Sequence, residues 1–153
     1  MNKEWATSWI KSFGSSPEEG VSFYADEFIF EDVPLDQDIR NDKAALFRCF
    51  GPYSNKDPNN GIGIHNFEVE DYIGDENSGF IVWRWEATDC ASFIGLPTNG
   101  KTIHTRGITG HIYKNGKVVR EWTHSDQATI LAQLGYPVQL PHYWEEGWTP
   151  EQG

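Results

Sequence analysis

The feature that most constrains this fold is a change in the spacing of apolar residues near His65. Before it, apolar side chains recur at helical spacing, as in residues 3–13, whereas after it they alternate with polar side chains, which is typical of strands. Asn115-Gly116 is the clearest turn signal, because this dipeptide tolerates the positive φ angles of a two-residue hairpin turn. Helices followed by antiparallel strands predict an α+β fold in which helices cover the concave face of a curved sheet and enclose a pocket.

Local signals give the ends of the predicted elements. Gly14 ends the first helix, and a capping box that begins at Ser16 starts a second helix, which runs to about Asp26. A third helix is predicted from its cap at Asn41 or Asp42. Strands are predicted at about 28–31, 64–73, 80–89, 102–114 and 117–126, and a short helix at 127–134.

Composition excludes several classes of function. A chain of 153 residues has the usual size of one domain, and its net charge of -11 with only twelve Lys and Arg argues against nucleic acid as a partner. We find no signal-peptide pattern and no run near the roughly 20 apolar residues of a membrane span. Cys49 and Cys90 form no metal-spaced pair and no disulfide framework. We therefore expect a cytoplasmic protein without a membrane partner.

The predicted strand 117–126 carries a candidate acid/base site. Since side chains alternate along a strand, Trp122, His124 and Asp126 share one face, which brings an aromatic wall, an imidazole and a carboxylate together. This face would be a catalytic site if it lined a cavity and a solvated sheet surface if it did not. Asp126 is equally placed to cap the helix that follows, and His124 could be a half-buried residue held by a hydrogen bond.

The register of the last hairpin decides which residues of the preceding strand join that site. Pairing that is symmetric about Asn115-Gly116 places Trp122 opposite Thr109, so His111 shares its face and Arg106 does not. A β-bulge would reverse this arrangement. Arg106 and His111 are therefore both candidates for ligand binding.

Strand 80–89 offers two opposite orientations. Trp83 and Trp85 alternate with Arg84 and Glu86. Either the tryptophans line the pocket, or they face a dimer interface while the charged pair points inward. Trp83, Trp85 and Arg84 are thus candidates for substrate binding.

Residues nearer the start of the chain complete the candidate pocket. Tyr24, Phe28 and Phe50 are expected in the core or in the pocket roof. Asp32 could point into the mouth of the cavity, or it could be a turn carboxylate before Pro34.

Several motifs resemble those of the SnoaL-like polyketide cyclases. They are Gly95-Leu96-Pro97-Thr98-Asn99-Gly100-Lys101, the segments 106–109 and 115–122, Asp126, and Leu131-Ala132-Gln133-Leu134-Gly135. The resemblance covers about residues 5–135. It divides the chain into a SnoaL-like domain, residues 1–135, and an aromatic tail, residues 136–153, which we expect to pack on the body or on a partner subunit.

This resemblance implies a fold and a chemistry. The family belongs to the cone-shaped α+β barrel superfamily of ketosteroid isomerase, scytalone dehydratase, limonene epoxide hydrolase and nuclear transport factor two. By the Trp-x-x-x-Asp context of the cyclases, Asp126 is implied as the acid/base of an aldol ring closure. Because His124 shares its strand face, we expect His124 to act as donor or orienting group. The related epoxide hydrolases use an Arg-x-Asp pair on an earlier strand together with a later Asp two residues past a Trp. This chain has Arg84-Trp85-Glu86 on the earlier strand and His124 at the later position, so that triad is incomplete. The resemblance implies no metal and no organic cofactor, and we expect a homodimer through the convex sheet face.

The function expected from these observations is that of a cofactor-independent cyclase or isomerase. It would abstract a proton next to a carbonyl of a polyketide-like or polycyclic small molecule, since a carboxylate in an apolar pocket is a stronger base. The expected partner is thus a small apolar or aromatic carbonyl ligand. Two alternatives stay open: a non-catalytic small-molecule binding module of the same fold, and a dehydratase or epoxide hydrolase.

Overall fold

The structure, a computed structural model, describes residues 1–55, 57–136, 144, 146, 147 and 149. Its helices are α1 (Lys3–Ser15), α2 (Pro17–Ser22), α3 (Lys43–Phe50) and α4 (Gln127–Gln133), with 3-10 turns at Val33–Leu35, Gly51–Tyr53 and Pro58–Asn60. Its strands are β1 (Tyr24–Asp32), β2 (Gln37–Arg40), β3 (Ile64–Gly74), β4 (Ser78–Thr88), β5 (Ser92–Phe93), β6 (Leu96–Pro97), β7 (Ile103–Lys114) and β8 (Lys117–Ser125). The predicted packing of the tail concerns residues 136–153, most of which lie outside the described residues.

Side-chain caps start the helices where the sequence predicts them. The Ser16 side chain accepts a hydrogen bond from the backbone N–H of Glu19, and Asp42 accepts one from Ala45. Helix α2 is shorter than predicted, however, because strand β1 begins at Tyr24. Residues 24–32 pair in parallel with β8, so this long-range pairing overrides the local helical signal.

Six strands form one mixed sheet in the order β2-β1-β8-β7-β4-β3. The β1–β8 pair is parallel and the other neighbours are antiparallel. The sheet is curved but not closed, and the α+β class is confirmed. We call the sheet face covered by α1 and α3 the inner face and the opposite face the outer face.

A β-bulge in the last hairpin reverses the expected orientation of its side chains. Lys114 pairs with Lys117 across the Asn115-Gly116 turn, but the register shifts between Tyr113 and Ile112. Trp122 therefore lies opposite Gly110 rather than Thr109. An extra residue on one strand moves every later side chain to the other face relative to its partner. Arg106 therefore shares a face with Trp122, and His111 lies on the opposite one.

The core lies between the inner face and the helices. Trp9 and Phe13 of α1 are buried, and the Trp9 ring lies 4.6 Å from the His111 ring between centroids. Phe13 also packs on Phe50 of α3 at 4.6 Å between centroids. Within the described residues, none of the helices has the length and apolar character needed to cross a membrane.

Candidate functional site

A cavity of about 80 Å³ lies between the helices and the inner face. Most of its wall is aromatic and includes Trp9, Trp83 and Trp85. Its polar groups include two carboxylates, Asp32 and Glu121. An apolar cavity with a few polar groups is the usual form of a small-molecule site.

The carboxyl group of Asp32 is the polar group best placed to act on a ligand. Its Oδ1 atom is buried and has no hydrogen-bond partner, although the residue lines the cavity. The pKa of Asp32 is raised to about 6, mainly by burial. A hydrogen bond from the Leu35 backbone N–H and the charge of His124 lower the pKa, whereas the charge of Glu121 raises it. A buried acceptor without a protein partner is rare in proteins, and a catalytic role is one of the explanations for it.

The strand pairing of β1 brings Asp32 to this position. Asp32 lies opposite Thr123 in the parallel β1–β8 pair, and Phe30 lies opposite Glu121. Alternation then places Phe28, Phe30 and Asp32 on the inner face. The 3-10 turn Val33–Leu35 follows directly and ends the strand at the edge of the cavity.

Glu121 lies deeper and is held by a hydrogen-bond network. It is 2% exposed, and its Oε2 accepts hydrogen bonds from the Tyr24 hydroxyl and from His111 Nε2, the latter at 2.9 Å. Its Oε1 accepts a hydrogen bond from the Thr123 hydroxyl at 3.1 Å. Both oxygens are thus already engaged. Burial, followed by the charge of Glu121, raises the pKa of Tyr24, which keeps the tyrosine protonated as a donor.

Gln127, the first residue of α4, supplies a second unpaired acceptor. Its Nε2 donates to Ser125 Oγ at 2.9 Å, whereas its Oε1 is buried without a partner. Gln127 also lines the cavity. The cavity therefore presents an unpaired carboxyl oxygen and an unpaired amide oxygen to a ligand.

The predicted acid/base pair lies outside this cavity. Asp126 is exposed and caps α4, with its Oδ1 accepting from the Thr129 backbone N–H at 3.0 Å. Hydrogen bonds from Thr129 lower the pKa of Asp126, which makes it a weaker base. His124 is exposed on the outer face, opposite Ile108. The bulge explains both positions, and this corrects the expected inward orientation of the Trp122, His124 and Asp126 face.

Three other candidates for ligand binding also lie on the outer face. The Trp122 ring lies under the Arg120 guanidinium, at 5.4 Å from the ring centroid. Arg106 forms an ion pair with Glu70 at 2.8 Å. Arg84 forms an ion pair with Glu68 at 2.5 Å, so the Arg84 and Glu86 pair of the hydrolase pattern points away from the cavity.

The aromatic candidates lie on the inner side. Trp83, Trp85 and Phe50 line the cavity. Tyr24 and Phe28 are buried in the core, and His111 is buried in the Glu121 network rather than in the cavity wall. Burial of alternate residues along β4 explains why its tryptophans, and not its charges, point inward.

Gly107 makes room for Trp83 on the inner face. A Cβ atom at Gly107 would lie 2.2 Å from Trp83 Cζ2, so only glycine allows the indole to cross β7 there. The indole N–H of Trp83 donates to Thr109 Oγ1 at 2.9 Å, and that of Trp85 donates to His65 Nδ1 at 3.1 Å. Both rings are thus fixed in the cavity wall.

Sequence reasoning left Asp32 as one of two alternatives and missed Gln127 and Glu121. Alternation of side chains along the strand places Glu121, Thr123 and Ser125 on one face. A bulge after the Asn115-Gly116 turn is the signal that would have identified this face as the inner one. No local signal indicates the partnerless Oε1 of Gln127. Within the described ranges, no group of three or more His, Cys, Asp or Glu is arranged to hold a metal ion.

A larger cavity of about 730 Å³, which we call the vestibule, adjoins the first one. Both are lined by Leu35, Gln37, Cys49, Tyr53 and Phe93. The vestibule extends to the turn between β5 and β6 and to the segment 60–62.

Comparison with solved structures shows which fold this is. AclR from Streptomyces galilaeus, described as a candidate hydroxylase, matches with 14% identity and a TM-score of 0.69 over 93% of this chain and 85% of that one. A protein from Catenulispora acidiphila, described as having a ketosteroid isomerase-like fold, matches with 12% identity and a TM-score of 0.69 over 98% and 100%. IdmH from Streptomyces antibioticus, described as a candidate polyketide cyclase, matches with 17% identity and a TM-score of 0.66 over 86% and 96%.

Sequence comparison gives one family match, over part of the chain. A search of curated proteins found no significant match. Residues 60–134 match the family model described as SnoaL-like polyketide cyclase. This range includes most of the motifs that carry the resemblance, from Gly95 to Leu134. Residues 60–134 are therefore similar to the SnoaL-like polyketide cyclases, and the chain has the ketosteroid isomerase-like fold.

Proposed function

We propose that this protein is a cofactor-independent cyclase or isomerase in which Asp32 is the general base. The observation that carries the proposal is the buried, partnerless Oδ1 of Asp32 in an aromatic cavity. The substrate would be a small apolar carbonyl compound of polyketide-like character. Candidate cyclases among the structural neighbours support this chemistry for the fold.

The proposed step is proton abstraction from the carbon next to a carbonyl group. The C–H bond breaks, its proton moves to Asp32 Oδ1, and its electron pair forms an enolate on the carbonyl oxygen. In a cyclase the enolate carbon attacks a second carbonyl of the same molecule, and the alkoxide that forms takes the proton back from Asp32. In an isomerase Asp32 returns the proton to another carbon of the conjugated enolate. A base with a pKa of about 6 is ionised at neutral pH and still accepts a proton readily.

Tyr53 is the proposed donor to the enolate oxygen. It lines the cavity, and burial followed by the charge of Asp32 raises the pKa of its hydroxyl. The hydroxyl therefore stays protonated at neutral pH and can donate a hydrogen bond as negative charge develops. Tyr53 and Asp32 line the same cavity, so a carbonyl compound bound there could contact both.

The test is hydrogen exchange at the carbon next to a carbonyl. With 2-tetralone in heavy water, we expect the wild-type protein to accelerate exchange above the buffer rate, as followed by proton NMR. Asp32→Asn should reduce this rate by about 100-fold or more, the usual contribution of a general base. Asp126→Asn is the matched control and should keep the wild-type rate.

Two results would contradict the proposal. Equal rates for Asp32→Asn and the wild type would exclude Asp32 as the base. Binding of 2-tetralone to the wild type without exchange above buffer would favour the non-catalytic binding module.

We also propose that the outer face joins two copies of this chain. Phe80, Ile108 and Ile112 are 52%, 48% and 42% exposed on neighbouring strands of this face, which leaves a continuous apolar surface. Two ion pairs, Arg84 with Glu68 and Arg106 with Glu70, flank this surface and place positive and negative groups beside it. Such a surface can be complementary to its own symmetry copy, and patches of this kind usually mark interfaces.

A further inference from the structure

The two adjoining cavities differ too much in size to serve the same part of a ligand. The inner cavity has about 80 Å³ and the vestibule about 730 Å³. A cavity of roughly 150 Å³ holds benzene, whereas sites for larger ligands have roughly 300–1,000 Å³. The inner cavity can therefore take only one end of a ring system, and the rest would lie in the vestibule.

The turn at the vestibule contains an unusual residue. Ser92 pairs with Pro97 and Phe93 with Leu96, which leaves Ile94 and Gly95 as a two-residue turn. Their φ angles are 47° and 81°. A β-branched residue is strongly disfavoured at positive φ, and turns of this kind select Asn before Gly.

Two other turns of the chain follow that preference. Asn115-Gly116 has φ angles of 51° and 76°, and Asn99-Gly100 has 54° and 74°. Ile94 has the same backbone conformation, although isoleucine is not a residue that favours it. The backbone therefore gives no reason for isoleucine at this position.

The side chain of Ile94 gives such a reason. It is 46% exposed and lines the vestibule beside Phe93, which also lines the inner cavity. In the absence of a ligand the residue combines a strained backbone with an apolar side chain in water. Strained residues of this type are concentrated at ligand-binding sites.

We propose that Ile94 is a specificity-determining residue that packs against the outer rings of the ligand. The ligand is then a polycyclic compound, with its reactive end in the inner cavity and its remaining rings against Ile94 and Phe93. This inference rests on the proposed function for the location of the reactive end beside Asp32. Ile94 itself touches no reacting atom.

The test separates the effect of Ile94 on stability from its effect on binding. Ile94→Asn should raise the melting temperature, because Asn suits the turn. It should also weaken binding of 2-hydroxyanthraquinone, measured by calorimetry, by about tenfold, the loss expected when one aliphatic side chain no longer packs on the ligand. Binding of phenol, a single ring without the outer rings that would reach Ile94, should not change.

Asn115→Ile is the matched control at a turn outside the vestibule. It should lower the melting temperature and leave the affinity for 2-hydroxyanthraquinone unchanged. Unchanged binding of the tricyclic compound by Ile94→Asn, an equal loss for phenol, or no binding of the tricyclic compound to the wild type would each overturn the inference. A lower melting temperature for Ile94→Asn would also overturn it, because isoleucine would then serve the fold.

The same variants distinguish this inference from the proposed function. Asp32→Asn should keep the preference for the tricyclic compound, since it removes the base and not the vestibule. Wild-type exchange activity in Asp32→Asn, with that preference intact, would count against the proposed function alone. Loss of the preference with normal exchange would count against the role of Ile94 alone.

Discussion

Asp32 lies opposite Thr123 in the parallel pairing of β1 with β8, and this register points its carboxyl group into the aromatic cavity. Phe30, two residues earlier, lies on the same face opposite Glu121. Two acidic residues on neighbouring strands therefore meet the cavity with different surroundings. Glu121 is enclosed by donors, whereas one oxygen of Asp32 has none. This difference supports a structural role for Glu121 and the proposed role of Asp32 as the base.

The raised pKa of Asp32 predicts how stability depends on pH. Because the pKa is about 6 in the folded state and 3.8 in an unperturbed aspartate, the folded state binds more protons between these values. The contribution of Asp32 to the free energy of unfolding is therefore largest at low pH and falls as pH rises from about 4 to 6. Urea unfolding of Asp32→Asn should lack this decrease, so the variant should gain stability relative to the wild type across the same range. A constant difference between the two proteins at all pH values would contradict the assignment.

Gln127 is expected to select ligands with a hydroxyl group. Its partnerless Oε1 can accept a hydrogen bond from a ligand, and one such bond contributes about 1 kcal/mol. Gln127→Met should weaken phenol binding by about fivefold and leave toluene binding unchanged, as measured by calorimetry. An equal loss for both ligands would show that Gln127 only shapes the cavity.

Glu121 is expected to stabilise the fold. Glu121→Gln leaves buried donors around the carboxylate position without their charged partner and should lower the free energy of unfolding by about 2–3 kcal/mol. Glu86→Gln, at an exposed position of β4, is the control and should have little effect. Chemical denaturation compares the two variants. A wild-type unfolding free energy for Glu121→Gln would argue against a structural network.

The outer face is expected to control assembly. Phe80→Lys places a charge in the apolar surface and should convert a dimer to a monomer in sedimentation velocity experiments. Phe47→Lys, at an exposed position of α3, is the control and should keep the wild-type state. A monomeric wild-type protein at all concentrations would contradict the proposed interface.

The sequence predicts local structure well where the signals are local. The cap at Asp42 and the Asn115-Gly116 turn both lie where the sequence places them. Pairing between distant segments was not predictable in the same way. Tyr24 follows a helical signal but lies in a strand, because its segment pairs with Val118, far along the chain.

Which side chains face the cavity depends on a β-bulge, which residue spacing does not encode. The hairpin turn fixes only the pairing next to it, and the bulge beyond Tyr113 exchanges the two faces of the strands. Tyr113 packs against Trp5 of α1 at 5.0 Å between ring centroids, so tertiary contacts accompany the bulge. The sequence therefore indicated a carboxylate in an aromatic cavity, whereas the structure places Asp32 and Glu121 there instead of Asp126.

The pKa of the Asp32 carboxyl group tests the central claim most directly. Carbon-13 NMR of protein labelled at aspartate carboxyl groups, with Asp32→Asn used to assign the resonance, follows this group through a pH titration. We expect a midpoint near 6, because burial in the cavity disfavours the charged form. A midpoint near the unperturbed value of 3.8 would show that the carboxyl group is solvated, and it would contradict the assignment of Asp32 as the base.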